Sequence, residues 1–544
     1  MQESNPTQRN AINQTRQSPE QCPEEARLTT YPSIFNDVIG PVMRGPSSSH
    51  CAAALRIGRI ARELMDGTIT EVQIEYDSHG SLATTHSSQG SDMGLMGGLL
   101  GWDTTDERLA ESVKVVQEAG IRVTQAILDL GDEHPNTYHL VLKNSTEQHT
   151  LTAISIGGGM IEIKEIDAAP VSMAGDYYET LVYVDEPKGK IPVYLEKHID
   201  ADDILVFDSP GGQIIEIKAQ KFLDEETIAG MYSQSKIRHL KTLSPVLPIL
   251  AHRKITAPFI TSEEMLRYNA GQNLELWELA CHYESARGNI SQEQVLDKMR
   301  AIILIMQRSI LAGIEGTQYA DRILGYQSGS FRTQLEKHLL LDGGMLNQII
   351  LYVTAMMEVK SSMGVIVAAP TAGSCSGLPG ACIGAASAMG LPVDDMAKAM
   401  LAAGMIGVFI AGHATFAAEV GGCQAECGAG SGMAAAALVS LAKGSVQQAL
   451  NASSMALQNI LGMICDPVAN RVEVPCLGKN VMAASNALAC ANMALANYDA
   501  VIPLDEVIET MDRVGKSLPV ELRCTALGGL SITPTSRTIE KKLG

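Results

Sequence analysis

The chain reads as an α+β protein with a mixed N-terminal α/β domain, a small middle α/β module and a large all-helical C-terminal domain. Three observations predict this. Its 544 residues exceed the size at which a single hydrophobic core stops growing. Short alternating apolar runs crowd the first part of the chain, whereas 3.6-residue periodicity dominates after Ser262. Apolar residues make up 46% of the chain but aromatics only 4%, so its cores rest on small and aliphatic side chains, with 49 glycines and 25 methionines allowing close helix packing.

Taken in order, residues 1–29 are polar and are expected to form a disordered extension. Residues 30–165 form the mixed domain. Val72–Tyr76, Tyr138–Leu142 and Leu151–Ile156 alternate as strands do, between helix-like stretches at Cys51–Met65 and Leu109–Glu118. Ile154–Ile163, ISIGGGMIEI, is strand, glycine turn, strand. Residues 166–260 hold the small module and a connector: Thr180–Val184 and Ile191–Leu195 continue a β-rich pattern to about Ala219, and residues 220–260 lead onward. Residues 261–544 are helical, for example over Gln292–Ala312 and Asp342–Val359. Ser262 followed by Glu263 and Glu264 resembles a capped helix start.

Composition excludes several classes of function. The net charge is −20 and the pI about 5.1, with no Lys/Arg cluster able to neutralise a run of phosphates, so nucleic acid is not an expected partner. The N-terminus lacks the basic-then-apolar order of a secretory signal. Met389–Phe416 is apolar but broken by Gly, Asp, Lys and His, which suits buried helices better than a membrane span. A cytoplasmic protein with no membrane partner is expected. Of 11 cysteines, six fall between Cys375 and Cys476 in Gly- and Pro-rich segments, which favours thiolate chemistry or cluster ligation over disulfide stapling.

The strongest constellation is Gly422-Cys423-Gln424-Ala425-Glu426-Cys427-Gly428 with Cys465-Asp466-Pro467 and Val474-Pro475-Cys476. Alone, each cysteine reads as a small buried hydrophobe. Their recurrence beside Gly and Pro points to ligation, because a cluster needs thiolates on backbone that approaches it closely. Separately, Gly45-Pro46-Ser47-Ser48-Ser49-His50 delivers three hydroxyls and an imidazole just before a helical pattern. It is either a Ser-rich helix cap with a surface histidine or a turn that binds a carboxylate and moves protons.

GCQAECGAGSGMAAA and CDPVANRVEVPCLGKN resemble the two cysteine motifs of the iron–sulfur-dependent bacterial L-serine dehydratases. Ala369-Pro370-Thr371-Ala372-Gly373-Ser374 and Ala526-Leu527-Gly528-Gly529-Leu530 are similar to further segments of that family's α chain, over roughly residues 262–540. GPSSSH resembles the signature of its β domain, and ISIGGG the end of that domain. The resemblance implies a [4Fe–4S] cluster on Cys423, Cys465 and Cys476, whose open iron acts as a Lewis acid on a small hydroxy amino acid. L-serine would yield pyruvate and ammonia without pyridoxal phosphate. By motif position, His50 with Ser49 is assigned to proton transfer or carboxylate binding. Ser47, Ser48, Thr371 and Ser374 are assigned to substrate contacts, Asn480 to polar support, and Lys479 to a catalytic or electrostatic role at the cluster. A homo-oligomer, expected as a dimer, completes the picture.

The chain also departs from the family pattern. Cys51 stands where the family usually has Thr, and Ser88-Gln89-Gly90-Ser91-Asp92 replaces a Gly-His-Gly-Thr-Asp segment, with His86 three residues earlier. Gln89 cannot titrate. Cys427 and Cys524 are spare thiols that either cap the cluster or pack in the core. Glu179–Ala219 lies where relatives carry an ACT regulatory domain but is short for one. These departures keep open the dehydration of another β-hydroxy acid, such as a 2-(hydroxymethyl) dicarboxylate. Cysteine desulfidation and a non-catalytic cluster-bearing redox sensor are further alternatives.

Overall fold

A computed structural model describes residues 31–185, 190–253 and 257–543. The expectation for residues 1–29 lies outside the described residues. Residues from Tyr31 onward form one compact unit.

The N-terminal part carries a five-stranded sheet in the order Arg122–Leu128, Glu71–Asp77, Thr137–Lys143, Gln148–Gly157, Met160–Ile166. Only the first pair is parallel. Alternation sets its sidedness: in Glu71–Asp77 Val72, Ile74 and Tyr76 are buried while the residues between them are half-exposed. Helices Ala53–Leu64 and Ser91–Leu99 pack closely on each other beside this sheet. A Cβ on Gly98 would come within 2.1 Å of Leu55 O, so glycine is what lets the two backbones touch. The Ile154–Ile163 hairpin forms as the sequence suggests, with Gly157, Gly158 and Gly159 all at positive φ.

The middle module differs from the sequence reading in two ways. Ile191–Leu195 lies in helix Lys190–His198, not in a strand. The run IPVYL, with Ile, Val and Tyr, mimics a strand, but Ile191 and Leu195 are four residues apart and both bury in one cluster with Val182, Ile215 and Met231. Residues 220–260 are not all connector: helix Glu225–Gln234 and strand Ile237–Leu243 complete a β-α-β-β-α-β unit. Its antiparallel strands run Ile237–Leu243, Tyr178–Val184, Gly212–Ala219, Asp203–Ser209. The connector therefore starts after Leu243, where Pro245 and Pro248 end strand pairing.

After Ser262 the chain is helical apart from Ile366–Val367, which pairs antiparallel with Val42–Met43 and stitches the two ends of the protein together. The cap of the first helix is Thr261, one residue earlier than the sequence suggests. Its side chain accepts from Glu264 N in a capping box. Helices Val393–His413 and Ala429–Leu441 form the centre, wrapped by Gly377–Met389, Val446–Gln458 and Cys476–Leu495. Among the described residues Val393–His413 alone is long and apolar enough to cross a membrane, yet 78% of its apolar window is buried inside the protein. Its apolarity is accounted for by that packing.

Candidate active site

The cysteine-bearing segments converge in the C-terminal part. Gly422, at φ 73°, turns the chain into a tight helical turn, Gln424–Gly428, which places Cys423 and Cys427 beside each other with their sulfurs 3.9 Å apart. Cys465 and Cys524 meet through backbone pairing: Cys465 N donates to Leu522 O and Cys524 N to Cys465 O. Cys423, Cys427, Cys465 and Cys524 are buried in one cluster. The ligand atoms of Cys423, Glu426 and Cys465 lie within 4.8 Å of one another. Cys476, at the start of Cys476–Leu495, is outside that set and packs with Cys375 and Val472.

Charge is shared unevenly among these sulfurs. The Cys423 thiol is held well below its ordinary value because Cys427 and Cys465 donate to it, with Lys479 nearby. Cys427 and Cys465 are pushed well up in return. Burial raises Cys476, and the negative charge of Cys423 adds to it. The nest thus behaves as one thiolate held by neighbouring thiols, a soft donor set suited to iron or another thiophilic metal. Glu426, raised to about 8 by burial and then by Cys423, is steadied by Thr371 Oγ1 donating to its Oε1 at 2.7 Å.

Asn480 holds this arrangement from below. Fully buried, it accepts from Gly377 N at 2.8 Å and donates to Gly373 O at 2.8 Å and Cys476 O at 2.9 Å. Ser374 Oγ sits 3.1 Å from Thr371 Oγ1, so the Ala369–Ser374 loop is braced internally. Lys479 Nζ donates to Ile464 O and to Asp466 Oδ1 at 2.7 and 2.9 Å. Burial opposes its charge, but Cys423, Cys465 and Asp466 keep it an ammonium. Held by Ile464 O and Asp466, Lys479 places its positive charge beside Cys423 and Cys465.

The serine-rich turn comes against the same loop. Ser47 caps the turn Ser48–Ala52, and Ser48 Oγ accepts from Ala372 N at 3.1 Å. Ser49 O accepts from Ser155 Oγ at 2.7 Å, so what this residue visibly does is tie the turn to the sheet. His50 is fully buried rather than on the surface, and burial lowers it to about 3. Thr85 Oγ1 donates to Ser81 O at 2.6 Å and therefore accepts from His50 Nε2 at 2.8 Å. That leaves the Nδ1 lone pair facing Ser47 Oγ at 3.1 Å and Glu419 Oε1 at 3.4 Å. Burial raises Glu419 as well, which suits a neutral carboxyl–imidazole pair.

Gln89 lies in the same region. Its Nε2 donates to Asn470 Oδ1 at 2.9 Å and to Cys524 Sγ at 3.4 Å. His86 is bound through Nδ1 to both oxygens of Asp92, at 2.9 and 3.0 Å, and stacks on Tyr76. His86 and Asn470 line a cavity of about 410 Å³ together with Thr84, Lys360 and Arg471. Sequence reading missed Glu419, Glu426, Thr85 and Asn470. Glu426 carried a usable signal, lying between two cysteines of one motif, whereas nothing local marks Thr85 or Glu419.

Comparison with known proteins gives consistent results. A family described as "Serine dehydratase beta chain" matches residues 37–166, and one described as "Serine dehydratase alpha chain" matches residues 271–531. An L-serine dehydratase of Helicobacter pylori is 26% identical over 508 residues, covering 90% of this chain and 96% of its own length. The alpha chain of a Peptoniphilus asaccharolyticus L-serine dehydratase is 34% identical over 283 residues, 52% of this chain and 97% of its own length. A probable L-serine dehydratase alpha chain of Bacillus subtilis is 38% identical over 253 residues, 46% of this chain and 84% of its own length.

Proposed function

Since this chain belongs to the serine dehydratase family, with beta-chain and alpha-chain regions in one polypeptide, we propose that it converts L-serine to pyruvate and ammonia. In this reading Cys423, Cys465 and Cys476 hold an iron–sulfur cluster of the [4Fe–4S] type. The observation that carries it is the buried thiol nest under the Ala369–Ser374 loop, with two sulfurs and the Glu426 carboxylate within 4.8 Å. The donor set fits such a group, because Cys423 and Cys465 already converge with Glu426 and further buried thiols, Cys427 and Cys524, stand beside them. When bound, the cluster supplies Lewis acidity toward a substrate hydroxyl.

The chain's own residues provide the rest. Loss of the α-proton and the β-hydroxyl as water leaves an enamine, which tautomerises and hydrolyses to pyruvate and ammonia. Thr371 and Ser374 present hydroxyls beside Glu426, and the thiol nest excludes bulk water, since its four cysteines are each at most 5% exposed. His50 offers Nδ1 as a proton acceptor, with Glu419 Oε1 3.4 Å away. Ser47, held 3.1 Å from Nδ1, orients the ring. A cytoplasmic setting is supported by the ten described cysteines, all free thiols.

The test is anaerobic purification with iron and sulfide analysis, then pyruvate and ammonia assays on L-serine, with Cys465→Ala as control. Iron and serine turnover, both lost in the variant, are expected. Iron without serine turnover would shift the substrate to another β-hydroxy acid, and absence of iron would refute the mechanism.

A further inference from the structure

Lys360 lies in the last turn of helix Met345–Ser361, and its side chain is among the largest fully buried ones of the described residues, at 1% exposure. Nζ donates to Val472 O, and among the described residues no carboxylate lies within ion-pair distance of it. An ammonium carries three N–H donors, and burying one without an anionic partner is costly. The other charged groups on the same cavity are all matched. Arg471 pairs with Asp321 at 2.8 Å, His86 with Asp92 at 2.9 Å and Glu540 with Arg537 at 3.0 Å. Glu473 accepts from the backbone N–H groups of Ile323 and Leu324. Among the described residues lining this cavity, Lys360 is the one cation without an anionic partner.

Its position is informative. Val472, whose carbonyl it holds, packs with Cys375 and Cys476 and lies 3.3 Å from where a Cβ on Gly373 would be. Lys360 thus stands on the wall between the open cavity and the thiol nest. Burial raises Glu426 and Cys476, and in both cases the charge of Lys360 works against that rise. Electrostatic balance of the thiols does not require Lys360, because Lys479, braced by Asp466, already stands beside Cys423 and Cys465.

We propose that Lys360 is the carboxylate anchor of the substrate, its ammonium pairing with the acid group while the hydroxyl faces the thiols. The inference rests on the dehydratase reading above and deepens it. In a β-hydroxy acid the carboxylate is separated from the hydroxyl oxygen by two carbons. An acid entering from the cavity with its hydroxyl toward the cysteines therefore turns its carboxylate toward this wall. Lys360 makes the site select for acids and reject their amides, because the neutral amide leaves the buried cation uncompensated.

The test compares L-serine with L-serinamide, in which a neutral amide replaces the carboxylate, on anaerobically purified wild-type holoenzyme, Lys360→Gln and Lys360→Arg. Gln keeps a donor for Val472 O and should preserve the fold, and Arg keeps the charge. Binding is read by calorimetry and catalysis by KM and kcat, with iron content measured for each protein. Wild type is expected to favour serine strongly over serinamide. Lys360→Gln should keep its iron, lose serine affinity by about 30-fold or more, and bind serinamide as before. Lys360→Arg should recover part of the serine affinity. Unchanged serine affinity in an iron-loaded Lys360→Gln overturns the anchor role alone, and so does loss of iron in that variant, which makes Lys360 a counter-charge to the cluster. A wild type that holds no iron or ignores serine overturns the dehydratase reading, and the anchor with it.

Discussion

Replacing Asn480 with Asp tests whether the site is braced as described. The substitution is isosteric, so it opens no cavity. It exchanges the Nδ2 donor for an acceptor oxygen facing Gly373 O at 2.8 Å and Cys476 O at 2.9 Å, in a fully buried position. The new carboxyl escapes this clash only by taking a proton. Its folded pKa is therefore raised above the unfolded value of about 3.9, the folded state binds the extra proton, and stability falls as pH rises between those two values. Each unit of pH above about 3.9 costs about 1.4 kcal/mol while the carboxyl stays protonated, which gives about 3 kcal/mol at pH 6 and about 4 at pH 7. Anaerobic urea unfolding followed by circular dichroism at both pH values measures the difference from wild type. A variant within about 1 kcal/mol of wild type, or one with the same penalty at both pH values, would refute the bracing role of Asn480.

Three other outcomes follow from the packing and the ion pairs. Lys241 is 1% exposed and bonds Glu147 at 2.7 Å and Asp66 at 2.8 Å, so Lys241→Met should destabilise by about 3 kcal/mol, read as a lower denaturant midpoint. Gly98→Ala should separate helices Ala53–Leu64 and Ser91–Leu99 at a cost of about 1–3 kcal/mol or more, because the added methyl meets backbone rather than a movable side chain; thermal unfolding unchanged from wild type would contradict this. Burial works against the His149 charge, but Asp167, accepting from Nδ1 at 2.7 Å, raises its pKa overall. The stability this pair adds is complete below about pH 6.5 and is lost as pH rises through the folded value, so His149→Gln should flatten the pH dependence of unfolding above about 6.5.

Much of the architecture is legible in the sequence because it rests on local patterns. Alternation marks the strands at Glu71–Asp77 and Thr137–Lys143, and helical periodicity marks Gln292–Glu315 and Met345–Ser361. Pattern failed where two periods fit the same letters. Lys190–His198 opens with the strand-like run Ile191-Pro192-Val193-Tyr194-Leu195, and only its packing on Val182 and Met231 shows the face to be helical. Strand Ile237–Leu243 was hidden because its partner, Tyr178–Val184, lies far away in sequence. At the site, cysteines flanked by Gly and Pro announce themselves, but Thr85, Glu419 and Asn470 act through partners that only folding supplies.

Those distant partners also bear on why the two regions share one chain. Ala372 N donates to Ser48 Oγ, Gln89 bonds both Asn470 and Cys524, and Ser81 Oγ donates to Cys524 O, so every link crosses from the beta-type to the alpha-type region. His50 reaches Glu419 across the same boundary. Neither region holds a complete set of the groups assembled here: the thiols come from one, and the imidazole with its serine turn from the other. Covalent connection makes their meeting intramolecular, with an effective concentration set by the chain between them rather than by the amount of protein. The short pairing of Val42–Met43 with Ile366–Val367 then fixes the register of that meeting close to the Ala369–Ser374 loop, five residues before Ala372, on which Ser48 docks.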